Sequence, residues 1–204
     1  MTRPRAEGRY VMPSYVERTS YGVKESNPYN KLFEERIVFL GSPVDDTAAN
    51  DVTAQLLALE GMDPDRPINL YINSPGGSLT SMLAIYDTMR YVRPVVETTC
   101  VGQAVSAAAI LLAGGAEGKR QALPGARILL QEPAVDVSRG SSSDLELQAA
   151  EVLRLRDQTE RIVAEATGRD VGTVRRDLDR ARFFTAEQAR EYGLIDHVLT
   201  PRRR

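Results

Sequence analysis

Two short segments of the chain contain residues whose types and positions could do chemistry together. Residues 73–77 (NSPGG) follow an apolar stretch, and their paired glycines let backbone N–H groups approach an oxygen without a Cβ in the way. Ser106 lies in the second segment, residues 102–108 (GQAVSAA), where a strand pattern gives way to a helical one. Free N–H groups at a helix start favour developing negative charge. Together the segments supply a nucleophile and an oxyanion pocket, the first parts of an acyl-transfer site.

Each segment alone also has an ordinary structural explanation. A Pro-Gly-Gly sequence is more often only a turn, and a lone serine at a helix start is usually an N-cap. A serine hydroxyl is a poor nucleophile near neutral pH and needs a base within hydrogen-bond reach. The chain contains one histidine, His197, near its C-terminus. Any catalytic interpretation therefore depends on whether a base is available to Ser106.

The pattern around these segments alternates between strands and helices. Strands are predicted from apolar stretches at residues 36–41, 68–73, 95–101 and 127–130. Helices are predicted from apolar residues at helical spacing at residues 45–59, 81–91 and 106–113. Alternation of this kind predicts an α/β domain with a largely parallel sheet.

The C-terminal third is richer in helices. Small and polar residues at 134–143 precede a long helix at residues 144–167, which Gly168 caps, and a further helix at 171–178. A capping box at Thr185–Gln188 opens the last helix, Gly193 ends it, and residues 194–199 form a final strand. Residues 1–30 lack sustained periodicity, so we predict a mobile or partner-dependent segment outside the core.

Composition narrows the class of protein. With 204 residues, 42% hydrophobic and 26% charged, and a net charge of -2, the chain is expected to form one compact domain without an electrostatic footprint for nucleic acid. The lone Cys100 has no internal disulfide partner, and a small core hydrophobe is favoured there over a reactive thiol. No apolar stretch reaches about eighteen residues, so we expect no membrane partner and a cytoplasmic location.

Four segments carry a resemblance to a known family. They read YINSPGG, IYDTM, GQAVSAAAILLAGGAEGKRQALPGARI and FFTAEQAREYGLID, and they closely resemble the proteolytic subunit of the ATP-dependent Clp protease, peptidase family S14, from about residue 13 to residue 199. Residues 20–41 look most like the second of the paired subunits of actinobacteria. The resemblance implies a crotonase-like α/β fold of stacked ββα units. It also implies two seven-membered rings, a tetradecamer, around a degradation chamber.

The resemblance also implies domains and partners. Residues 1–30 correspond to an axial gating segment, residues 31–200 to a single domain with a protruding handle at about 132–167, and residues 201–204 to a basic tail. An active paralogue in the rings, an AAA+ unfoldase and unfolded polypeptide are the implied partners, with no cofactor and no metal. Tyr71 and Tyr91 match positions that line an unfoldase pocket, although either tyrosine could equally pack in the core.

The family's catalytic residues are only partly present. Its nucleophile falls on Ser106, and its oxyanion amides fall on Gly77 and Ala107. The family's histidine stands in a strand that here reads RILLQEP, which puts Gln131 at the histidine position. Its aspartate belongs to a segment that here reads DRARF, which puts Ala181 at the aspartate position. We therefore predict a catalytically deficient subunit that co-assembles with an active paralogue.

Four other residues are candidate substitutes for the missing base or carboxylate, and none is favoured. Strand alternation turns Glu132 away from Gln131, and the family uses neither the position of His197 nor that of Lys119. Asp179 has no imidazole to orient. Two alternatives stay open: an active serine endopeptidase that uses Ser106 with a non-standard base and, less favoured, a crotonase-type enzyme acting on acyl-coenzyme A thioesters.

Overall fold

A computed structural model describes residues 13–19, 22–131 and 142–200; the C-terminal tail, the first twelve residues and residues 132–141 of the predicted handle lie outside the described residues. The strands of the described part are β1 (Tyr15–Thr19), β2 (Gly22–Ser26), β3 (Ile37–Leu40), β4 (Ile68–Ser74), β5 (Val96–Val105), β6 (Arg120–Ala122), β7 (Arg127–Leu130), β8 (Arg182–Phe184) and β9 (His197–Val198). Its helices are α1 (Pro28–Glu34), α2 (Asp46–Met62), α3 (Leu79–Tyr91), α4 (Ala107–Ala113), α5 (Ser142–Thr167), α6 (Val171–Leu178) and α7 (Ala186–Tyr192).

Seven of the strands form one sheet that is mostly parallel. The strand order is β3-β4-β5-β6-β9, with every neighbouring pair parallel. Strand β7 pairs in parallel with β5, and β8 pairs antiparallel with β7. Strands β1 and β2 make a separate antiparallel hairpin. The predicted α/β class with a largely parallel sheet is confirmed.

Strand β5 determines which elements meet at each end of the sheet. Strand β4 follows one edge of β5 along most of its length. The other edge is shared, because β6 pairs with Thr98–Cys100 and β7 then pairs with Gln103–Val105. The carboxyl end of β5 therefore lies beside β7 and β8, and its first half lies beside β6 and β9.

The core forms on one face of this sheet. In β4 the side chains alternate, and Ile68, Leu70 and Ile72 are fully buried. They belong to one hydrophobic cluster with residues of α2, α3 and α4. All seven residues of α4 are buried. Its first three residues are alanines, whose small side chains allow the helix to lie close to the sheet.

A buried ion pair joins the far edge of the sheet to two helix ends. Arg120 of β6 is 6% exposed, and its Nη2 and Nε donate to Asp196 Oδ1 at 2.6 Å and Oδ2 at 2.9 Å. The same guanidinium donates from Nη1 to the carbonyls of Ala166 at 2.7 Å and Gly193 at 3.0 Å. Burial alone would raise the pKa of Asp196, but the hydrogen bonds from Arg120 outweigh it and lower the pKa.

The long helix α5 has an exposed first half and a packed second half. Leu145, Leu147 and Leu153 are exposed, whereas residues from Leu155 onward contribute to the core. In the packed half the carboxylate of Glu160 is fully buried and accepts hydrogen bonds from Arg156 and Arg175. These bonds hold α6 against α5. The predicted long helix is confirmed, and its role as a handle stays a prediction.

Several helix and strand ends agree with the sequence. Strand β7 and helix α6 have the predicted bounds. The capping box at Thr185–Gln188 is present, and Gly193 ends α7 in the left-handed conformation at φ 98°. These signals are local and depend on side-chain and backbone geometry within one turn, which explains why the sequence predicts them well.

Other elements differ from the prediction. The N-terminal segment was predicted to be mobile or partner-dependent, without any particular element, and its described part contains the hairpin β1–β2 and the start of helix α1, which Asn27 caps. The three-residue strands β6 and β8 were not predicted, because strands this short do not produce a detectable period. The final strand is shorter than predicted, since only His197–Val198 pair with β6.

The described residues contain neither a membrane-spanning helix nor a cluster of metal-binding side chains. No helix in this part of the chain is long and apolar enough to cross a bilayer. No group of three or more histidine, cysteine, aspartate or glutamate side chains is placed to hold a metal ion in the same ranges.

Candidate active site

Ser106 lies at a sharp turn between a strand and a helix. It follows β5 directly, its N–H donates to the carbonyl of Leu129 at 2.8 Å, and α4 begins at the next residue. Its backbone has φ 51° and ψ -115°, a conformation that side-chain-bearing residues rarely adopt. The hydroxyl does not cap the helix. This turn displays the serine at the carboxyl end of the sheet, and the strained backbone costs about 1–3 kcal/mol.

The glycine loop lies directly against this serine. The Ser74 hydroxyl donates to the Ser42 carbonyl at 2.6 Å and accepts from the Gly76 N–H at 3.2 Å, which fixes the start of the loop. A Cβ added at Gly76 would lie 2.3 Å from the Val105 carbonyl oxygen and 3.3 Å from Ser106 Cβ. Only glycine fits so close to the turn, so the two predicted segments are in contact.

Gly77 and Ala107 present backbone amides beside the serine. Gly77 forms a parallel bridge with Val44, in which the Val44 N–H donates to the Gly76 carbonyl and the Val44 carbonyl accepts from the Ser78 N–H. Within the described residues no hydrogen bond uses the Gly77 N–H, and Ala107 is the first residue of α4, where the N–H has no helical acceptor. Both amides are thus available as donors. Their use as an oxyanion hole stays a prediction.

The strand register places Gln131 and Ala181 next to Ser106. Val105 pairs with Leu129, and Leu130 pairs with Arg182. Gln131 is the residue after β7, and Ala181 is the residue before β8, so these positions face each other where the strands end. Both residues are exposed. The three positions assigned by the family resemblance therefore converge on one edge of the sheet.

The chemistry of the converged side chains is limited. A glutamine amide can donate or accept a hydrogen bond, but it does not take up a proton near neutral pH and cannot act as a general base. An alanine side chain neither orients a base nor carries charge. Ser106 thus has a strained turn and two free amides around it, but the residues at the base and carboxylate positions cannot activate its hydroxyl.

The other titratable residues considered from the sequence lie elsewhere. His197 pairs with Gln121, which pairs with Thr99, seven residues before Ser106 in β5, so the imidazole is roughly 20 Å from the serine. Lys119 pairs with Glu97 at 3.5 Å, still further back along the strand. The Asp179 carboxylate pairs with Arg156 at 3.5 Å. Glu132 lies outside the described residues.

The remaining predicted residues are placed as follows. Tyr71 is half-buried on the face of β4 opposite the core, between Phe39 and Thr99 of the neighbouring strands. Tyr91 ends α3 and is 79% exposed, so it does not pack in the core of this chain. Cys100 is fully buried, and burial raises the pKa of its thiol, which agrees with a core hydrophobe rather than a reactive group.

One feature beside the site was not predicted. The guanidinium of Arg127, at the start of β7, lies over the Phe183 ring with its carbon 5.4 Å from the ring centroid, and Nη2 donates to Gln103 Oε1 at 3.1 Å. Phe183 is 57% exposed. No sequence pattern predicts this contact, because it depends on the antiparallel pairing of β7 with the unpredicted strand β8.

The fold and the site define an α/β protein with a serine at a strand-to-helix turn and a glycine loop that offers backbone amides to it. A family model described as Clp protease matches residues 20–202, and the chain belongs to the Clp protease family. The crotonase-like fold predicted from the resemblance is the fold of that family and is confirmed.

Curated relatives from actinobacteria cover nearly the whole chain. The chain is 59% identical over 197 residues to "ATP-dependent Clp protease proteolytic subunit 1" of Thermobifida fusca, with 97% of this chain and 89% of the relative covered. It is 60% identical to "proteolytic subunit 2" of Corynebacterium jeikeium, at 97% and 94% coverage. It is 59% identical to "proteolytic subunit 2" of Mycobacterium tuberculosis, at 97% and 92% coverage. Identity to subunits of both numbers is the same within one per cent.

Proposed function

We propose that this chain is a proteolytic-subunit-type component of an ATP-dependent Clp protease that is itself catalytically deficient. The observation that carries the proposal is the register that brings Ser106, Gln131 and Ala181 to one sheet edge. The base is not supplied from another part of the sequence, because the only histidine of the chain, His197, lies far from Ser106. In a serine peptidase, loss of the histidine alone lowers turnover by about 10⁶-fold.

In this proposal the chain serves the protease as a structural subunit. It joins an active paralogue in seven-membered rings, two of which stack as a tetradecamer in the cytoplasm around a chamber that degrades unfolded polypeptide. The exposed leucines of α5 support an association role for the handle, since exposed apolar side chains on a projecting helix favour a partner surface. Similarity to relatives named subunit 1 and subunit 2 supports membership of a paired system.

The first test measures catalysis by the purified chain. We expect no turnover of a fluorogenic peptide above the rate of a Ser106→Ala control, because no base near Ser106 is found among the described residues to take its proton. A fluorophosphonate probe is expected to label Ser106 much more slowly than it labels an active subunit of the same family. Turnover that Ser106→Ala abolishes would contradict the proposal and would favour an active endopeptidase with a non-standard base.

The second test concerns docking of an AAA+ unfoldase, for which we propose Tyr71 and Tyr91 as contacts. An exposed tyrosine that anchors an interface typically carries much of its binding energy, so Tyr91→Ala in assembled rings should weaken unfoldase binding by about tenfold. Leu123→Ala is the control, because Leu123 is also exposed but follows β6 and lies on neither α3 nor β4. Equal binding of the two variants, measured by biolayer interferometry, would remove Tyr91 from the docking surface.

A further inference from the structure

The sheet face that leads to Ser106 carries the positive charge of Arg127, which has no negative partner in the part of the chain that the structure describes. Arg127 and Gln131 share one face of β7, since side chains alternate along a strand and both residues are exposed. Among the described residues no carboxylate lies within ion-pair distance of Arg127, and its guanidinium contacts the neutral side chains of Gln103 and Phe183.

The position of Arg127 is fixed from two sides. Gln103 pairs with Arg127 in the parallel register, and the N–H of Gln103 donates to Asn73 Oδ1 at 3.3 Å. On the other side the Phe183 ring lies under the guanidinium, because Phe183 pairs with Leu129 on the same face. A guanidinium stacked on a ring keeps its N–H edge free, and that edge matches a carboxylate in a bidentate geometry.

The distance from Ser106 suits a peptide lying along the sheet face. Gln103, opposite Arg127, is three residues before Ser106, which corresponds to about 10 Å along the strand. An extended peptide with one carbonyl at the Ser106 turn would therefore bring a group about three residues away to Arg127. Ala181 removes the one carboxylate that the family pattern would place on this face, so an acidic peptide meets less repulsion here.

We propose that Gln103, Arg127 and Phe183 form a subsite that binds a carboxylate of a peptide held beside Ser106. The inference rests on the proposed function, because it assigns to the same site the binding of peptides rather than their hydrolysis. The carboxylate could belong to an aspartate or glutamate side chain of a substrate or to the C-terminus of a cleaved product. The chemistry of recognition is the same for both.

The test measures the affinity of three fluorescent peptides of equal length by anisotropy, in assembled rings of the Ser106→Ala variant. One peptide has a glutamate and an amidated C-terminus, the second has glutamine there and a free C-terminal carboxylate, and the third is neutral throughout. We expect at least one acidic peptide to bind about fivefold more tightly than the neutral one. The preferred acidic peptide identifies the source of the carboxylate, and the preference should shrink at high salt.

Substitution of the arginine provides the matched comparison. Arg127→Gln keeps a polar side chain but removes the charge and the guanidinium fork, and it should abolish the preference, whereas Arg190→Gln on α7 should leave it unchanged. Arg127→Lys should retain part of it, because charge remains without the planar fork. Equal affinity for all three peptides, absence of binding, or a preference that survives Arg127→Gln would overturn the inference. Use of the Ser106→Ala background separates this result from any finding of peptidase activity.

Discussion

The double variant Gln131→His, Ala181→Asp is expected to hydrolyse a fluorogenic peptide at least about 10³-fold faster than the natural chain. The expectation follows from what the site retains. Ser106 keeps its displayed backbone conformation, and the glycine loop keeps its contact with that turn. The Gly77 and Ala107 amides are available as donors. Only the base and its orienting carboxylate need to be supplied, at two positions that already face each other at the strand ends.

The single variants should show how much of the gain in turnover each substitution contributes. Gln131→His alone should gain much less than the double variant, because in a serine peptidase an imidazole without its carboxylate partner loses about 10⁴-fold in turnover. Ala181→Asp alone should gain nothing, since it has no imidazole to orient. Adding Ser106→Ala to the double variant should return activity to background. A folded double variant without a gain in turnover would mean that the loop or the turn is not in a productive geometry.

Replacement of Asp196 by alanine is expected to lower the free energy of unfolding by about 3–5 kcal/mol. The variant leaves the Arg120 guanidinium buried, at 7% side-chain exposure, without its charged partner. The guanidinium would keep only carbonyl acceptors, those of Ala113, Ala166 and Gly193. Urea unfolding at one fixed protein concentration measures the change. Glu97→Ala is the control, because its pair with the half-exposed Lys119 should contribute less than about 1 kcal/mol.

The pH dependence of this difference provides an independent check. The pKa of Asp196 is lowered in the folded protein, so the carboxylate stabilises the fold at any pH above its unfolded pKa, which is about 3.9. That contribution disappears as the pH falls through the lower, folded pKa. The difference in stability between the natural chain and Asp196→Ala should therefore be constant between about pH 5 and pH 7 and shrink below about pH 4. A difference that persists unchanged at low pH would exclude the ion pair as its cause.

The sequence predicts most of the parallel sheet because the relevant signals are local. Strand β7 is a run of apolar residues, and the ends of α7 carry a capping box and a glycine. Helix α2 shows the limit of such signals: it continues past the predicted range of residues 45–59 to Met62. Its last carbonyls are satisfied by a distant residue, since Arg36 donates to Leu59 at 2.9 Å and to Asp63 at 3.0 Å. No periodicity within the helix contains that information.

The candidate site also has a part that the sequence predicts and a part that it does not. The positions of Ser106, Gln131 and Ala181 follow from the resemblance, and the strand pairings then bring them together. The stacking of Arg127 on Phe183 depends on a strand of three residues that pairs only in the folded chain. Sequence patterns identify residues whose side chains could take part in catalysis or binding. Contacts between short strands that are distant in sequence have to be observed in the structure.

The backbone conformation of Ser106 limits which substitutions this chain can accept during evolution. A serine held at φ 51° lowers the stability of the folded chain, and such strain is common at active sites, where it serves catalysis. Here the glycine at position 76 packs so tightly on the Val105 carbonyl that the turn cannot relax without rebuilding its neighbours. If the chain is catalytically deficient as proposed, the strained turn and the glycine loop persist as a packing constraint, and only the residues at positions 131 and 181 separate it from an active site.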